Sequence, residues 1–178
     1  MTELFGDKAT FAIEYELAQE QEAEPFSDLG PLLNLSYWIG GHRISNPDLP
    51  TYAGYLTERL IHHLRDGGHR RNDELMALPA VEAAGILGSR HDDRFSQRAM
   101  DERWAAHEIG QPLDSAEYLD GLRTDWEVYV VEGEQTGRII ARRAESPETV
   151  LISDVAAGDV DRVLRATWES LEHLIQPA

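Results

Sequence analysis

The sequence predicts an α+β fold: an antiparallel sheet built from N-terminal and C-terminal-half hairpins, with helices between them and a C-terminal helix. Three observations predict it. Phe11–Leu17 and Leu32–Ile39 alternate apolar and polar residues, the period of a half-buried strand. Trp126–Val131 and Arg138–Arg142 flank a polar, glycine-containing turn. Between and after these pairs, apolar residues recur at three and four, as on one face of a helix.

The elements follow in order. In the first strand Phe11, Ile13, Tyr15 and Leu17 share one side, leaving Ala12, Glu14 and Glu16 on a wet, acidic one. The second turns Leu33, Leu35, Tyr37 and Ile39 inward. Gly40-Gly41 then supplies the positive φ of a tight hairpin into His42-Arg43-Ile44. Residues 19–31, polar and acidic, read as an exposed loop. Asn46-Pro-Asp-Leu-Pro50 is a turn cluster, and Thr51 is expected to cap a helix over 52–66 whose stripe is Ala53, Leu56, Leu60 and Leu64. Gly67-Gly68 ends it. Asn72-Asp73 caps a short helix through Leu78, and Pro79 starts another reaching Leu87. Residues 92–102 read as helical and 103–109 as strand. After the second hairpin, Val150–Ile152 is a further strand. Asp159 opens a last helix whose apolar stripe runs from Val160 to Ile175.

A chain of 178 residues fits one domain spanning 1–178, able to bury roughly 70% of the surface its unfolded form exposes. Its 42% hydrophobic content supports a core. No apolar run is long enough for a membrane span. Met1–Lys8 lacks the basic and apolar regions of a secretory signal. Zero cysteines exclude thiol catalysis, disulfides, cysteine–zinc sites and iron–sulfur clusters. These features make the cytoplasm the expected location.

Charge is the strongest bulk lead. Sixteen basic residues face 33 acidic ones, a net of −17, which repels nucleic acid and anionic membranes. Residues 1–28 carry eight acids against Lys8 alone, and 111–178 carry fourteen against six arginines. The middle is nearly balanced. The acid is at the two ends.

Enzyme chemistry finds little support. His62, His63, His69 and His91, with Asp66, Asp92 and Asp93, offer imidazole and carboxylate for a metal. Adjacent His62 and His63 point about 100° apart on a helix, and no zincin or EF-hand spacing occurs. No serine lies in a nucleophile elbow, and neither Gly-Gly pair belongs to a phosphate-binding loop. The Gly-Gly-His-Arg repeat at 40–43 and 67–70 fits no shared mechanism. Arg90, Arg94 and Arg98 would line one helix face, with Asp101 and Glu102 in ion-pair range. Glu14 and Glu16 lack the pocket that would raise an acid's pKa.

A binding surface is what remains. Glu14, Glu16, Glu20, Glu22, Glu24, Asp28, Glu132 and Glu134 would form one negative field if the two hairpins joined a common sheet. That field would steer a basic partner.

Specific residues carry a family resemblance. Phe11-Ala-Ile-Glu-Tyr-Glu16, Tyr37-Trp-Ile-Gly-Gly41 with Ile44, and Leu64-Arg-Asp-Gly-Gly68 with Arg70 and Asn72 resemble the bacterial immunity protein 42 family. Arg103-Trp104, Ile109, Pro112, Asp114, Trp126–Val130 and Arg138-Ile139 continue the same order. The resemblance spans about Phe11 to Arg143. Residues 115–125 are longer than that pattern, and the acidic loop at 19–28 is particular to this chain. The resemblance implies a protein of interbacterial competition that binds the C-terminal domain of a secreted polymorphic toxin, with no enzymatic activity and no cofactor. It assigns no functional residue: Tyr37, Trp38, Trp104 and Trp126 are expected as core anchors.

The sequence therefore predicts an immunity protein that occludes the active site of a basic toxin domain with acidic carboxylates. Two alternatives stay open: a small metal-dependent hydrolase using His62, His63 and His69, and an acidic adaptor unrelated to toxins. Self-association is left open.

Overall fold

The structure, a computed structural model, describes residues 2–18, 29–45, 50–65, 70–88, 107–108, 126–143, 146 and 148–175. The first sheet contains β1 (Thr2–Gly6), β2 (Phe11–Leu17), β3 (Leu32–Ile39) and β4 (His42–Ser45) in that order, with β5 (Thr51–Tyr52) also paired to β3. Three helices follow: α1 (Ala53–Arg65), α2 (Asp73–Ala77) and α3 (Ala80–Gly88). The second sheet is β6 (His107–Glu108), β7 (Trp126–Glu132), β8 (Thr136–Arg143) and β9 (Val150–Ala156), and α4 (Asp159–Ile175) ends the fold. All strand pairs in both sheets are antiparallel.

The α+β class and both hairpins are as the sequence predicts. The sheets are two, however. The N-terminal hairpin and the β7–β8 hairpin share no strand ladder, so the condition for a single acidic field on one sheet is not met. Gly40 joins the two parts instead. Its φ is +56°, and a Cβ there would lie 2.8 Å from the Ile152 carbonyl oxygen of β9. The β3–β4 turn is thus seated closely against the second sheet by a residue with no side chain.

Alternation sets which residues reach the core. Phe11, Ile13, Tyr15, Leu33, Leu35, Tyr37, Ile39 and Ile44 are buried on the inner face of the first sheet. They pack with Ala53, Leu56 and Leu60 of α1 and with Val160, Val163, Leu164 and Leu171 of α4. Val128, Val130, Ile139 and Ala141 join the same cluster. The opposite face of the second sheet, through Tyr129, Val131 and Ile140, buries a smaller cluster under α2 and α3. Being covered on both sides explains the unbroken apolar run Val128-Tyr-Val-Val131.

Several local expectations need correcting. Residues 2–6 form an edge strand that weak alternation did not announce. Thr51 is in β5 rather than at a helix cap, and its hydroxyl is buried with no partner among the described residues. Leu17 ends its strand 49% exposed, and Ala12 is buried on the outer face. By contrast, Asn72 caps α2 as expected, its side-chain oxygen accepting from the Leu75 amide at 2.9 Å. His107–Glu108 pairs with β7, within the strand expected at 103–109. The helix expected at 92–102 lies outside the described residues.

Candidate functional site

Residues directly opposite across antiparallel strands share a face, so the register maps the outer face of the first sheet. Gly6, Ala12, Trp38 and Arg43 form one row; Leu4, Glu14, Ser36 and Ser45 the next; Thr2, Glu16 and Asn34 the third. The face runs from an aromatic and a guanidinium at the turn end to the exposed carboxylate of Glu16 at the other.

At the turn end Glu14 is the hub. Its Oε1 accepts from Lys8 Nζ at 2.8 Å, and its Oε2 accepts from Trp38 Nε1 at 2.7 Å. The Lys8 ammonium lies 4.3 Å from the centroid of the Trp38 ring, a cation–π contact. Arg43 Nε donates to Ser36 Oγ at 3.0 Å and stands 4.0 Å from Glu14 Oε2. The Lys8 hydrogen bond holds the Glu14 carboxyl below its usual range, partly opposed by its burial and aided by Trp38 and Arg43. Only 14% of the Glu14 side chain is exposed, against 51% for Arg43. Two cations thus surround one anion, and this end is locally positive. Two residues further along β2, Glu16 is exposed and accepts from Thr2 Oγ1 at 3.3 Å.

The remaining proposed carboxylates fall elsewhere. Glu20, Glu22, Glu24 and Asp28 lie outside the described residues, as does nearly all of the acidic loop that follows β2. Glu132 and Glu134 stand at the tip of the β7–β8 hairpin, on the second sheet. Glu134 is exposed. Glu132 faces the fully buried guanidinium of Arg70, with Nε–Oε2 at 3.5 Å, while Arg70 Nη2 also donates to Asp161 at the start of α4. Burial raises the Glu132 carboxyl above its usual range; Arg70 opposes that shift and Asp161 adds to it. Arg70 therefore clamps the second hairpin to the N-terminus of α4.

Trp38, Arg43 and Lys8 were absent from the residues proposed on sequence. The expectation that both Tyr37 and Trp38 anchor the core fails for a simple reason: adjacent residues of a strand point to opposite faces. Tyr37 is fully buried and Trp38 is half-buried on the outer face. Trp126 packs partly buried against the core, as expected of it, and Trp104 lies outside the described residues. The histidine alternative gains no geometry. His62 is exposed and His63 is buried on α1, while His69, His91, Asp66, Asp92 and Asp93 lie outside the described residues. Among the described residues no group of three or more histidines and carboxylates could hold a metal. Arg90, Arg94 and Arg98 also lie outside them.

An exposed sheet face carrying an ordered aromatic and charges of both signs suits a protein that acts by binding another macromolecule. Such a binder is what an immunity protein is: it neutralises a toxin. The chain belongs to the immunity protein 42 family, whose model matches residues 1–170. It is similar in structure to CdiI from Burkholderia dolosa AUO158, with a TM-score of 0.70 and 17% sequence identity over 94% of this chain and 99% of that one. At that identity the likeness is one of fold. Comparison with curated protein sequences finds no match. No helix among the described residues is long and apolar enough to cross a membrane.

Proposed function

We propose that this immunity protein neutralises a cognate toxin in the cytoplasm by binding its C-terminal domain and covering the active site with an acidic surface. That surface starts at Glu16 and continues through Glu20, Glu22, Glu24 and Asp28, with Glu134 adding charge from the second hairpin. Glu14 and Glu132 contribute differently: their charge is already matched by Lys8 and Arg70, so they hold the scaffold beneath the surface. Inhibition is stoichiometric, with no turnover and no cofactor. The supporting observation is the exposure of Glu16 near the end of β2, a few residues before the acidic segment in sequence. Carboxylates there occupy the positions of a polyanionic substrate, so the fitting toxin is a basic enzyme such as a nuclease. Acidic steering accelerates encounter, while short-range packing sets the lifetime of the complex.

Reversing the charge of Glu16, Glu20, Glu22 and Glu24 to Arg tests the surface. Association with the C-terminal domain of the toxin encoded beside this gene should slow at low salt by about tenfold or more, and the difference should shrink as salt rises. An unchanged association rate removes this surface from the mechanism.

A further inference from the structure

The positive end of the same face has a role of its own. We propose that Trp38 and Arg43 anchor the toxin domain on the outer face of the first sheet, the Arg43 guanidinium taking an acidic side chain of the toxin beside the Trp38 indole. This rests on the reading that the chain binds a toxin; it adds where the contact is made and the chemistry that fills it.

Arg43 is built to present its fork. The Nε is held by Ser36, whose residue is 1% exposed, and the two terminal nitrogens have no partner among the described residues. A planar guanidinium fixed at Nε offers a carboxylate two parallel donors in the geometry that it binds best. Trp38, directly opposite Arg43 in the register, is held just as firmly by the Glu14 hydrogen bond and the Lys8 ammonium. Little side-chain freedom is left to lose on binding. Tryptophan and arginine are the residue types that most often dominate interfaces, and Leu4 on β1, 45% exposed, adds apolar surface to the same face across β2.

Charge chooses the occupant. Lys8 and Arg43 around the single carboxylate of Glu14 leave this spot one positive charge in excess, inside a protein of net −17. A wholly basic contact surface would be repelled here. A basic domain carrying one acidic group at this point is accepted in a single orientation, because the acidic segment and the arginine then each meet their opposite. A second copy of this chain, being strongly acidic, fits less well.

The test uses the full chain and the C-terminal domain of the toxin encoded beside it, inactivated by substitution at its own active site. Binding is measured by surface kinetics at low and high salt for wild type, Arg43→Glu, Trp38→Ala and Trp38→Phe. Arg43→Glu should raise Kd by about 30-fold or more, the scale of a dominant interface residue, chiefly through faster dissociation that persists at high salt. Trp38→Ala should do the same and Trp38→Phe should recover part of the loss. Since Arg43 is half exposed, its variant should stay folded even though it loses the Ser36 bond and sets a second carboxylate near Glu14, which makes it decisive even if Trp38→Ala unfolds. Wild-type Kd for Arg43→Glu, or an effect on association alone that salt abolishes, overturns the anchor while leaving the toxin reading intact. Loss of a homodimer with toxin binding unchanged also overturns it. Wild-type protein that binds no toxin domain overturns both.

Discussion

Trp38 Nε1 donates to Glu14 Oε2 at 2.7 Å across the outer face of the first sheet, and this bond joins an aromatic to a carboxylate that Lys8 already holds. The consequence is a division of labour along β2. Glu14 is committed to ordering Trp38 and Lys8, whereas Glu16 remains available to a partner. One strand thereby carries a structural carboxylate and, in the proposed mechanism, a recognising one.

Glu14 should make stability depend on acid. Its folded carboxyl titrates below the unfolded one, so its contribution is fully present above the ordinary glutamate value of 4.5 and is lost as pH falls through the lower folded value. Glu14→Gln should be less stable than wild type at pH 7, and the gap should close as pH drops below 4.5. Urea denaturation across that range measures it. A pH-independent gap would show that the ion pair with Lys8 is not its source.

The Arg70 clamp should carry far more energy than the surface pairs. Removing one partner of a buried pair leaves an uncompensated charge and costs about 3–5 kcal/mol. Arg70→Ala is expected to lose that much stability, with the Glu132 carboxylate stranded beside Asp161. Because burial already raises the Glu132 pKa, protonation relieves part of the loss. The penalty in Arg70→Ala should therefore be smaller at pH 5 than at pH 8. Arg70→Met combined with Glu132→Gln should lose less than Arg70→Met alone. Equal losses would mean that the guanidinium acts only by filling space.

Gly40 and Gly41 separate backbone strain from close approach. Both have positive φ, +56° and +82°, but a Cβ meets the Ile152 carbonyl only at Gly40 and open space at Gly41. Gly41→Ala should cost about 1–2 kcal/mol, the left-handed penalty of an L-residue. Gly40→Ala should cost more, since β9 must also move. Chemical denaturation of the two variants compares them directly, and equal costs would remove the contact between the turn and β9 from the account.

Strong local signals were legible in the sequence. The alternation of Phe11–Leu17 and Leu32–Ile39 gave two strands with their exact bounds, and Asn72 was readable as a cap because its side-chain oxygen can accept from a first-turn amide of the short helix that follows. Failures occurred where tertiary partners decide. Residues 2–6 become a strand only because β2 offers them an edge, and Thr51 pairs with Leu33 when its pattern alone suits a helix start. Arg70 gave no sign of burial, since its partners Glu132 and Asp161 lie far along the chain. For the binding face, charge pointed to Glu14 and Glu16 alike, yet only pairing with Lys8 and Trp38 distinguishes them. The missed residues, Trp38 and Arg43, were still within reach: strict alternation after a buried Tyr37 already turns Trp38 outward.

Stoichiometric neutralisation is the central claim, and one titration tests it most directly. The active cognate toxin, held at fixed concentration far above Kd, is assayed against increasing amounts of the purified protein. Toxin activity should fall linearly and reach zero at one equivalent, with the complex recoverable as a single species. Activity that survives excess protein, or that disappears at a small fraction of an equivalent as a catalyst would make it, contradicts the account.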